Sequence, residues 1–323
     1  MRHLALTLAL LLSPTAALAQ YTPSAGQNAP AEAYAPKPTA DGKVRFERLK
    51  QAPAKDGHGN AAGNQYDLAV DGAFKGQTVL ILDQVGNTLV NTRAALAEKG
   101  LSTVVYPPGL TPPVRELQSA LQKSCELWLI STSQPQLTDD HIRVIKAFFD
   151  AGHGVYIWGD NDPLYADANR VASALVPGLG MRGDRYGDLV VGLAERGSAG
   201  VAMGHLITTG LEHLYEGVTI ATLLLDGQSE PADSLYGAKL EQPGRAWDTA
   251  IPAGFTPLLY GSAGNLVSAA YEKDGRRLVI DGGFTRLAVS WDDAGTARFV
   301  KNAAAWLVNA ERFKEKVAVG APR

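Results

Sequence analysis

From residue 77 onward, short apolar runs alternate with longer segments that place apolar side chains every three or four positions. The runs are four or five residues long and rich in β-branched residues, so they predict strands buried on both faces of a sheet. The first four runs are 78–82, 102–106, 127–131 and 155–158. Because a helical pattern follows each run after a short connection, the segment predicts a parallel sheet with right-handed crossovers.

The helical segments carry recognisable start and stop signals. They are predicted over 87–99, 113–123, 139–151 and 163–175. Thr138 is expected to cap the third helix, with two aspartates in its first turn, where carboxylates suit the helix dipole. Asp162 is expected to cap the fourth helix, which Pro163 would open.

The pattern changes after residue 177. Residues 178–245 are Gly-rich and irregular, with one strand-like piece at 189–193, and are predicted to form an insertion that covers one end of the sheet. Three further strands are predicted at 257–260, 266–271 and 277–280, followed by a last helix over 294–310. Asp274-Gly275 between the last two strands is a hairpin signal. The predicted fold class is α/β, a flavodoxin-like three-layer sandwich with a mostly parallel central sheet and a C-terminal hairpin.

The amino terminus predicts export. Residues 1–19 combine a short basic start, an apolar stretch and a small-x-small cleavage pattern at Ala17-Leu18-Ala19, which is typical of a signal peptide. Residues 20–65 are rich in Ala, Pro and Gly and are predicted to be a disordered linker. The domain is expected over 66–312, with a tail at 313–323. We therefore expect a periplasmic or secreted protein without a transmembrane segment after cleavage.

The net charge and the cysteine count limit the functions that this chain can have. The formal net charge is -3, which gives no electrostatic footprint for nucleic acid. The single cysteine, Cys125, excludes an intrachain disulfide and is expected to be a small buried residue rather than a nucleophile.

Several segments resemble the class I glutamine amidotransferase-like superfamily, closest to its trehalose-utilisation-like and gliding-motility or ABC-transport-associated branches. The resemblance covers about 77–309 and rests on four segments: 79–83, the pair 127–131 and 148–157, 204–210, and 275–283. It implies a catalytic cysteine on the turn after the strand that ends at Trp158. This chain has Gly159-Asp160-Asn161-Asp162 there, and no histidine follows His213. Glutamine hydrolysis is therefore predicted to be absent.

Ligands of open α/β sheets bind beyond the carboxyl ends of the strands. The predicted ligand-binding residues at those ends are Asp83, Gln84, Ser131, Thr132, Gly159, Asp160, Asn161, Asp162 and Asp281. Such a rim would suit a cation or a polyhydroxylated ligand, with Trp158 or Trp291 as a stacking face. The alternative is that these residues are caps and turn formers, which belong at strand-to-helix junctions in any case.

The candidate catalytic residues are Asp160 and His205. His205 would act as a general base or metal ligand near the rim, or it would merely cap the helix that follows it. The expected function is an exported, non-catalytic ligand-binding or scaffold domain. The alternative is a hydrolase or sugar-modifying enzyme that uses rim carboxylates and His205 with metal assistance. The sequence requires no cofactor, although a divalent cation would fit; the expected partner is a small molecule or an envelope protein.

Overall fold

A computed structural model describes residues 34–38, 44–48, 54–86, 89–195, 198–227, 251–291 and 294–313. Its strands are β1 (Tyr34–Pro38), β2 (Val44–Arg48), β3 (Thr78–Asp83), β4 (Ser102–Tyr106), β5 (Glu126–Ile130), β6 (Gly154–Trp158), β7 (Gly180–Tyr186), β8 (Val190–Val191), β9 (Gly200–Val201), β10 (Leu214–Tyr215), β11 (Thr219–Leu224), β12 (Phe255–Tyr260), β13 (Leu266–Lys273) and β14 (Arg276–Asp281). Its α-helices are α1 (Val90–Glu98), α2 (Val114–Leu121), α3 (Asp139–Asp150), α4 (Ala166–Leu175) and α5 (Thr296–Leu307).

The central sheet has eight strands in the order β4-β3-β5-β6-β14-β13-β12-β9. The first five of these are parallel. Numbered along the chain, they run 2-1-3-4-5, which is the flavodoxin-like order. The other three strands extend the sheet in antiparallel fashion. The predicted α/β class and mostly parallel sheet are therefore confirmed.

Helices cover both faces of this sheet. Side chains alternate along each strand, so Val79 and Ile81 of β3 pack towards α1 and α5, while Leu80 and Leu82 pack towards α2, α3 and α4. β3, β5 and β6 are buried on both faces, which is why they appear in the sequence as continuous apolar runs.

The predicted hairpin turn is present between β13 and β14. Asp274 and Gly275 both have positive φ, 54° and 72°. Two consecutive left-handed residues match the twist of an antiparallel ribbon, and Asp-Gly adopts this geometry at low cost. The pairing that this turn aligns runs from Lys273–Arg276 to Ser268–Asp281.

The segment predicted as an irregular insertion is more regular than expected where it is described. β7 pairs antiparallel with β11 from Gly180–Leu224 to Tyr186–Thr219. β11 buries Ala221 and Leu223 in the same core as α2, α3 and α4. This ribbon therefore covers the antiparallel part of the sheet on a face that helices cover elsewhere. Residues 228–250 lie outside the described part.

Two helix predictions need correction. α4 begins at Ala166 rather than at Pro163, and the residue at its N-cap is Tyr165 rather than Asp162. The sequence pattern also places His141 on a solvated face of the third helix, but the side chain is buried. Its Nδ1 accepts a hydrogen bond from the Thr138 backbone N–H at 3.1 Å, and this contact completes a capping box.

Part of the predicted linker has regular structure. β1 and β2 pair antiparallel. Asn60 is fully buried, and its Oδ1 accepts hydrogen bonds from the backbone N–H groups of Glu212 and His213 at 2.7 and 2.8 Å. The predicted signal peptide and residues 314–323 lie outside the described residues. Among the helices that are described, none has the length and apolarity to cross a membrane.

Candidate functional site

The switch point of a flavodoxin-like sheet lies between the carboxyl ends of β3 and β5, where ligands bind in this topology. Here a side chain of the protein itself fills it. Asp167, in the first turn of α4, is fully buried. Its Oδ2 accepts hydrogen bonds from Gln84 Nε2 at 2.8 Å and from the backbone N–H groups of Gln136 and Leu137 at 2.7 and 3.0 Å. Arg170 Nη1 donates to Oδ1 at 3.0 Å.

Two predicted rim residues in the loop after β5, Ser131 and Thr132, hold the start of α4. Ser131 Oγ accepts from the backbone N–H groups of Asp167 and Ala168, both at 3.1 Å. The carbonyl of Thr132 accepts from the N–H of Ala166 at 3.0 Å. A residue distant in sequence thus caps α4, and these groups satisfy donors that a helix start leaves open.

The remaining predicted residue at this edge, Asp83, closes the loop after β3. Its Oδ1 accepts from the backbone N–H groups of Val85 and Gly86 at 3.2 and 2.9 Å. The crevice beside Asp83 and Gln84 has a volume of about 10 Å³. That is room for about one water molecule and not for a sugar or a nucleotide.

The second group of predicted residues lies where β6 and β14 end. Gly159 donates its N–H to the carbonyl of Asp281 at 2.9 Å and accepts from the N–H of Phe284 at 3.0 Å. A Cβ at this glycine would lie 2.4 Å from Met181 Sδ and 3.1 Å from Tyr165 Cβ. The position therefore has no room for a side chain unless Met181 moves.

Asp160 follows and is fully buried. Its Oδ1 accepts from the Asn161 backbone N–H at 2.8 Å and from Thr219 Oγ1 at 2.9 Å, and its Oδ2 accepts from the Thr285 N–H at 3.0 Å. Burial raises the pKa of Asp160 to about 7, although these hydrogen bonds oppose the rise. The carboxyl ties the end of β6 to β11 and to the turn after β14.

The exposed part of this segment makes local contacts. Asp162 is exposed, and its Oδ1 accepts from the Tyr165 hydroxyl at 2.9 Å. Asn161 Nδ2 donates to the carbonyl of Asp162 at 3.0 Å. Neither side chain reaches into the sheet.

Asp281 pairs with a buried cation. Arg286 Nη2 lies 2.7 Å from Asp281 Oδ1, and both side chains are fully buried. The guanidinium also lies over the rings of Trp158 and Phe299, at 5.7 and 5.6 Å from their centroids. Burial raises the pKa of Asp281, and Arg286 partly offsets this rise.

A further buried carboxyl, Glu216, joins this region from the segment before β11. Its Oε2 and Oε1 accept from the backbone N–H and the hydroxyl of Ser262, both at 2.6 Å. Burial raises its pKa, while the Ser262 hydrogen bonds and the charge of Arg286 lower it. We refer to Asp160, Glu216, Asp281 and Arg286 as the rim cluster.

His205 lies at the opposite end of the sheet from the rim cluster. Its ring packs edge to face against Trp306, near the end of α5, with centroids 4.9 Å apart. Its Nδ1 accepts from the backbone N–H of Ile207 at 3.2 Å, so it caps the short turn that follows. Burial lowers the pKa of His205 to about 4. The structure therefore does not bring His205 and Asp160 together.

The described residues also bear on whether the chain has a metal site or a reactive thiol. No group of three or more His, Cys, Asp or Glu side chains there could hold a metal ion. Cys125 is buried as expected; its Sγ lies 3.2 Å from the carbonyl of Thr78, and burial raises its pKa well above the usual value.

Sequence reasoning missed Asp167, Glu216 and Arg286. One feature of the sequence points to Asp167, because it is an acidic residue close to the start of a predicted helix. Glu216 lies in the stretch interpreted as irregular, and Arg286 follows a glycine pair beyond the last strand. Their contacts span long sequence separations, such as 83 positions between Gln84 and Asp167.

No family model matches this chain, and no curated protein does. Solved structures show partial similarity. The mmIFT52 N-terminal domain has a TM-score of 0.46 and 13% identity, covering 71% of this chain and 97% of that one. A putative GMP synthase component from Thermoplasma acidophilum has a TM-score of 0.41 and 12% identity, covering 74% and 98%. A glutamine amido transferase from Methylobacillus flagellatus has a TM-score of 0.39 and 10% identity, covering 77% and 98%.

A glutamine amido transferase is thus among the structural neighbours. All three TM-scores lie below 0.5, so these neighbours carry no argument about family or activity. They do not test the resemblance to the trehalose-utilisation-like or gliding-motility branches.

Proposed function

We propose that this chain is an exported, non-catalytic scaffold domain. One observation carries the proposal: carboxylates of the chain itself occupy both places where a sheet of this topology would hold a ligand or a reacting group. Asp167 fills the switch point, and Asp160 is enclosed beyond β6. A ligand would have to displace hydrogen bonds that hold together α4, β11 and the turn after β14.

The backbone beyond β6 also argues against a nucleophile. Catalytic turns of this kind hold their nucleophile on a strained bend. The described non-glycine residues with positive φ are Asp188, Asp226, Asp274, Ser290 and Asn309. None of them lies between 159 and 165, so the segment after β6 lacks such a bend.

The alternative hydrolase has one supporting observation, the pKa of Asp160 at about 7. A carboxyl with that pKa could serve as a general acid near neutral pH. However, both of its oxygens are occupied by hydrogen bonds, and His205 lies at the other end of the sheet.

Hydrolysis assays distinguish the two functions. The purified protein is assayed between pH 5 and 8 with aryl ester, aryl glycoside and glutamine substrates, beside Asp160→Asn and Asp162→Asn variants. Asp162 is exposed and serves as the matched control in the same segment. We expect no turnover by any of the three proteins. Turnover that Asp160→Asn abolishes and Asp162→Asn preserves would establish the hydrolase instead.

Export and small-ligand binding are tested separately. We expect the protein in the extracytoplasmic fraction with a mature amino terminus at Gln20, which mass spectrometry measures. We expect Ca²⁺, Mg²⁺ and disaccharides to leave the melting temperature unchanged, because hydrogen bonds from the chain itself already hold the carboxylates of Asp160 and Asp167. A dose-dependent rise in melting temperature would favour a ligand-binding domain over a scaffold.

A further inference from the structure

The two edge strands of the central sheet differ in whether another described segment pairs with their outer side. At one edge, β9 has only two residues, both buried, and Leu193 forms a parallel bridge to Val201 on its outer side. At the other edge, β4 has five residues, and no described strand pairs with its outer side. An unpaired edge offers a row of backbone donors and acceptors to another strand.

The sequence of β4 itself lacks the residues that usually protect an edge, and the charged group that contacts Thr103 comes from α1, where Arg93 Nε donates to Thr103 Oγ1 at 3.1 Å. The strand sequence, Ser-Thr-Val-Val-Tyr, contains no charge, proline or glycine, and its β-branched residues favour strand pairing. Val104 is 44% exposed in the middle of the strand. Two more exposed apolar side chains, Val90 and Leu110, lie at the start of α1 and in the loop after β4.

The direction of the free backbone groups follows from the pairing with β3. Ser102 donates its N–H to the carbonyl of Gln77 at 2.9 Å, so residues 102, 104 and 106 direct their backbone groups towards β3. Successive residues of a strand point to opposite sides, so Thr103 and Val105 direct theirs outward. The open stretch is bounded by Pro107, which has no N–H, and by Leu101, whose N–H donates to the carbonyl of Leu96 at 3.0 Å.

We propose that β4 pairs antiparallel with β4 of a second copy of this chain, about a two-fold axis at Val104. In this register Thr103 of each copy lies opposite Val105 of the other. Both are outward-facing residues, so each pair exchanges its two N–H···O bonds. Val104 then faces its own counterpart in a non-hydrogen-bonded pair, with Cα atoms about 4.5 Å apart.

A second copy fits this edge for two reasons. The strand carries no charge, so a two-fold axis brings no like charges together within it. The alternation of outward and inward residues also allows this symmetric register. A two-fold axis that passed between two residues, rather than at Val104, would place an outward-facing residue opposite an inward-facing one. The inference is independent of whether the domain is catalytic, and it gives the proposed scaffold a means of self-assembly.

Sedimentation velocity from about 1 µM to 1 mM tests the pairing, because small interfaces are weak. We expect the mass to rise from one to two times that of the chain. Val104→Lys should weaken association at least about tenfold by placing two ammonium groups opposite one another. Leu189→Lys, at a side chain that is 43% exposed elsewhere, is the matched control and should associate like the unaltered chain.

A cysteine variant tests the register and does not depend on how well the lysine variant folds. Under mild oxidation Val104→Cys should give a disulfide-linked homodimer, since the expected Cα separation suits that bond. Val90→Cys should not, and Cys125 is buried. A monomer at all concentrations, association unaffected by Val104→Lys, or Val104→Cys linked only to other proteins would overturn the proposal.

Discussion

Two clusters of buried charge hold different parts of this domain, and they are balanced in opposite ways. On the α1–α5 face, the carboxylate of Asp67 contacts three cations: Lys99 at 2.9 Å, Arg298 at 2.9 Å and Lys301 at 2.8 Å. We call these four residues the helix clip. At the rim, three carboxyls are buried (Asp160, Glu216 and Asp281), and the guanidinium of Arg286 pairs with Asp281 at 2.7 Å.

The two clusters differ in how the free-energy cost of burying charged groups is offset. The cations of the helix clip need the carboxylate and the further contacts of Lys99 with Asp71 and of Lys301 with Glu98, because a buried cation without a partner carboxylate is costly. The rim carboxyls can take up protons instead, and burial raises the pKa of all three. Glu126, buried beside Trp128 Nε1, is a further example, with its pKa raised to about 8.

The largest expected effect is that of Asp67→Asn. The variant keeps the shape of the side chain but leaves three buried cations without their shared carboxylate. We expect a loss of about 3–5 kcal/mol in the free energy of unfolding. Because the ordinary pKa values of lysine and arginine side chains lie well above 8, the loss should be the same at pH 5 and pH 8. Urea unfolding at both pH values measures it.

Asp71→Asn is the control for the helix clip. The Asp71 side chain is 54% exposed and contacts Lys99 at 2.7 Å. Water can replace much of that contact, so we expect a loss of only about 0–1 kcal/mol. Equal losses for the two variants would show that Asp67 is not the centre of the cluster.

At the rim, the loss of stability caused by Arg286→Gln should depend on pH, unlike the loss caused by Asp67→Asn. A carboxyl whose pKa is raised on folding binds a proton that the unfolded chain releases, so stability falls as pH rises between the unfolded and folded pKa values. Arg286 lowers the pKa values of Asp281 and Glu216, so removing the guanidinium should raise both values further and extend the fall to higher pH. We expect a loss of about 2–3 kcal/mol at pH 8 and about half of that at pH 5.

Arg277→Gln is the matched control for this pH dependence. Arg277 is also buried, but its partners Glu272 and Glu311 are exposed carboxylates that water can solvate. Besides burial, Arg277 also lowers the pKa of His205, so the loss for Arg277→Gln should be only slightly larger at pH 8 than at pH 5. If the loss for Arg286→Gln changed no more than this with pH, the rim carboxyls would not be the proton-binding groups.

The regular part of the fold could be predicted because its signals are local. β3, β5 and β6 are apolar runs with helical segments between them, and the Asp274-Gly275 turn specifies its own geometry. β7 could not be recognised, because two glycines and three charged residues interrupt its apolar pattern. Its strand conformation depends on pairing with β11, which is more than 30 positions away.

The site was harder to predict because its residues act across the fold. Asp160 and Asp281 were expected at the carboxyl ends of their strands and lie there, but the sequence does not say that other chain segments bury them. Burial depends on β11 and on the turn after β14, which supply Thr219 and Thr285. The position of His205 likewise depends on the tertiary fold. It was predicted near the rim, but it lies at the opposite end of the sheet, against Trp306.

The smallest expected effect separates packing from charge at the rim. Gly159→Ala adds one methyl group 2.4 Å from Met181 Sδ and alters no ionisable group. Methionine is flexible, so we expect its side chain to shift and the free energy of unfolding to fall by about 1–2 kcal/mol. Unlike the loss for Arg286→Gln, this one should be equal at pH 5 and pH 8.

A double-mutant cycle with Met181→Ala tests the origin of that loss. Shortening Met181 removes the obstructing sulfur, so Gly159→Ala should cost less in the Met181→Ala background than in the unaltered chain, by about 1 kcal/mol. Additive losses, or a loss that grows with pH, would mean that the methyl group disturbs the rim carboxyls rather than the packing. The rim would then be held by its charges alone, and its contrast with the helix clip would lie only in the sign of the excess charge.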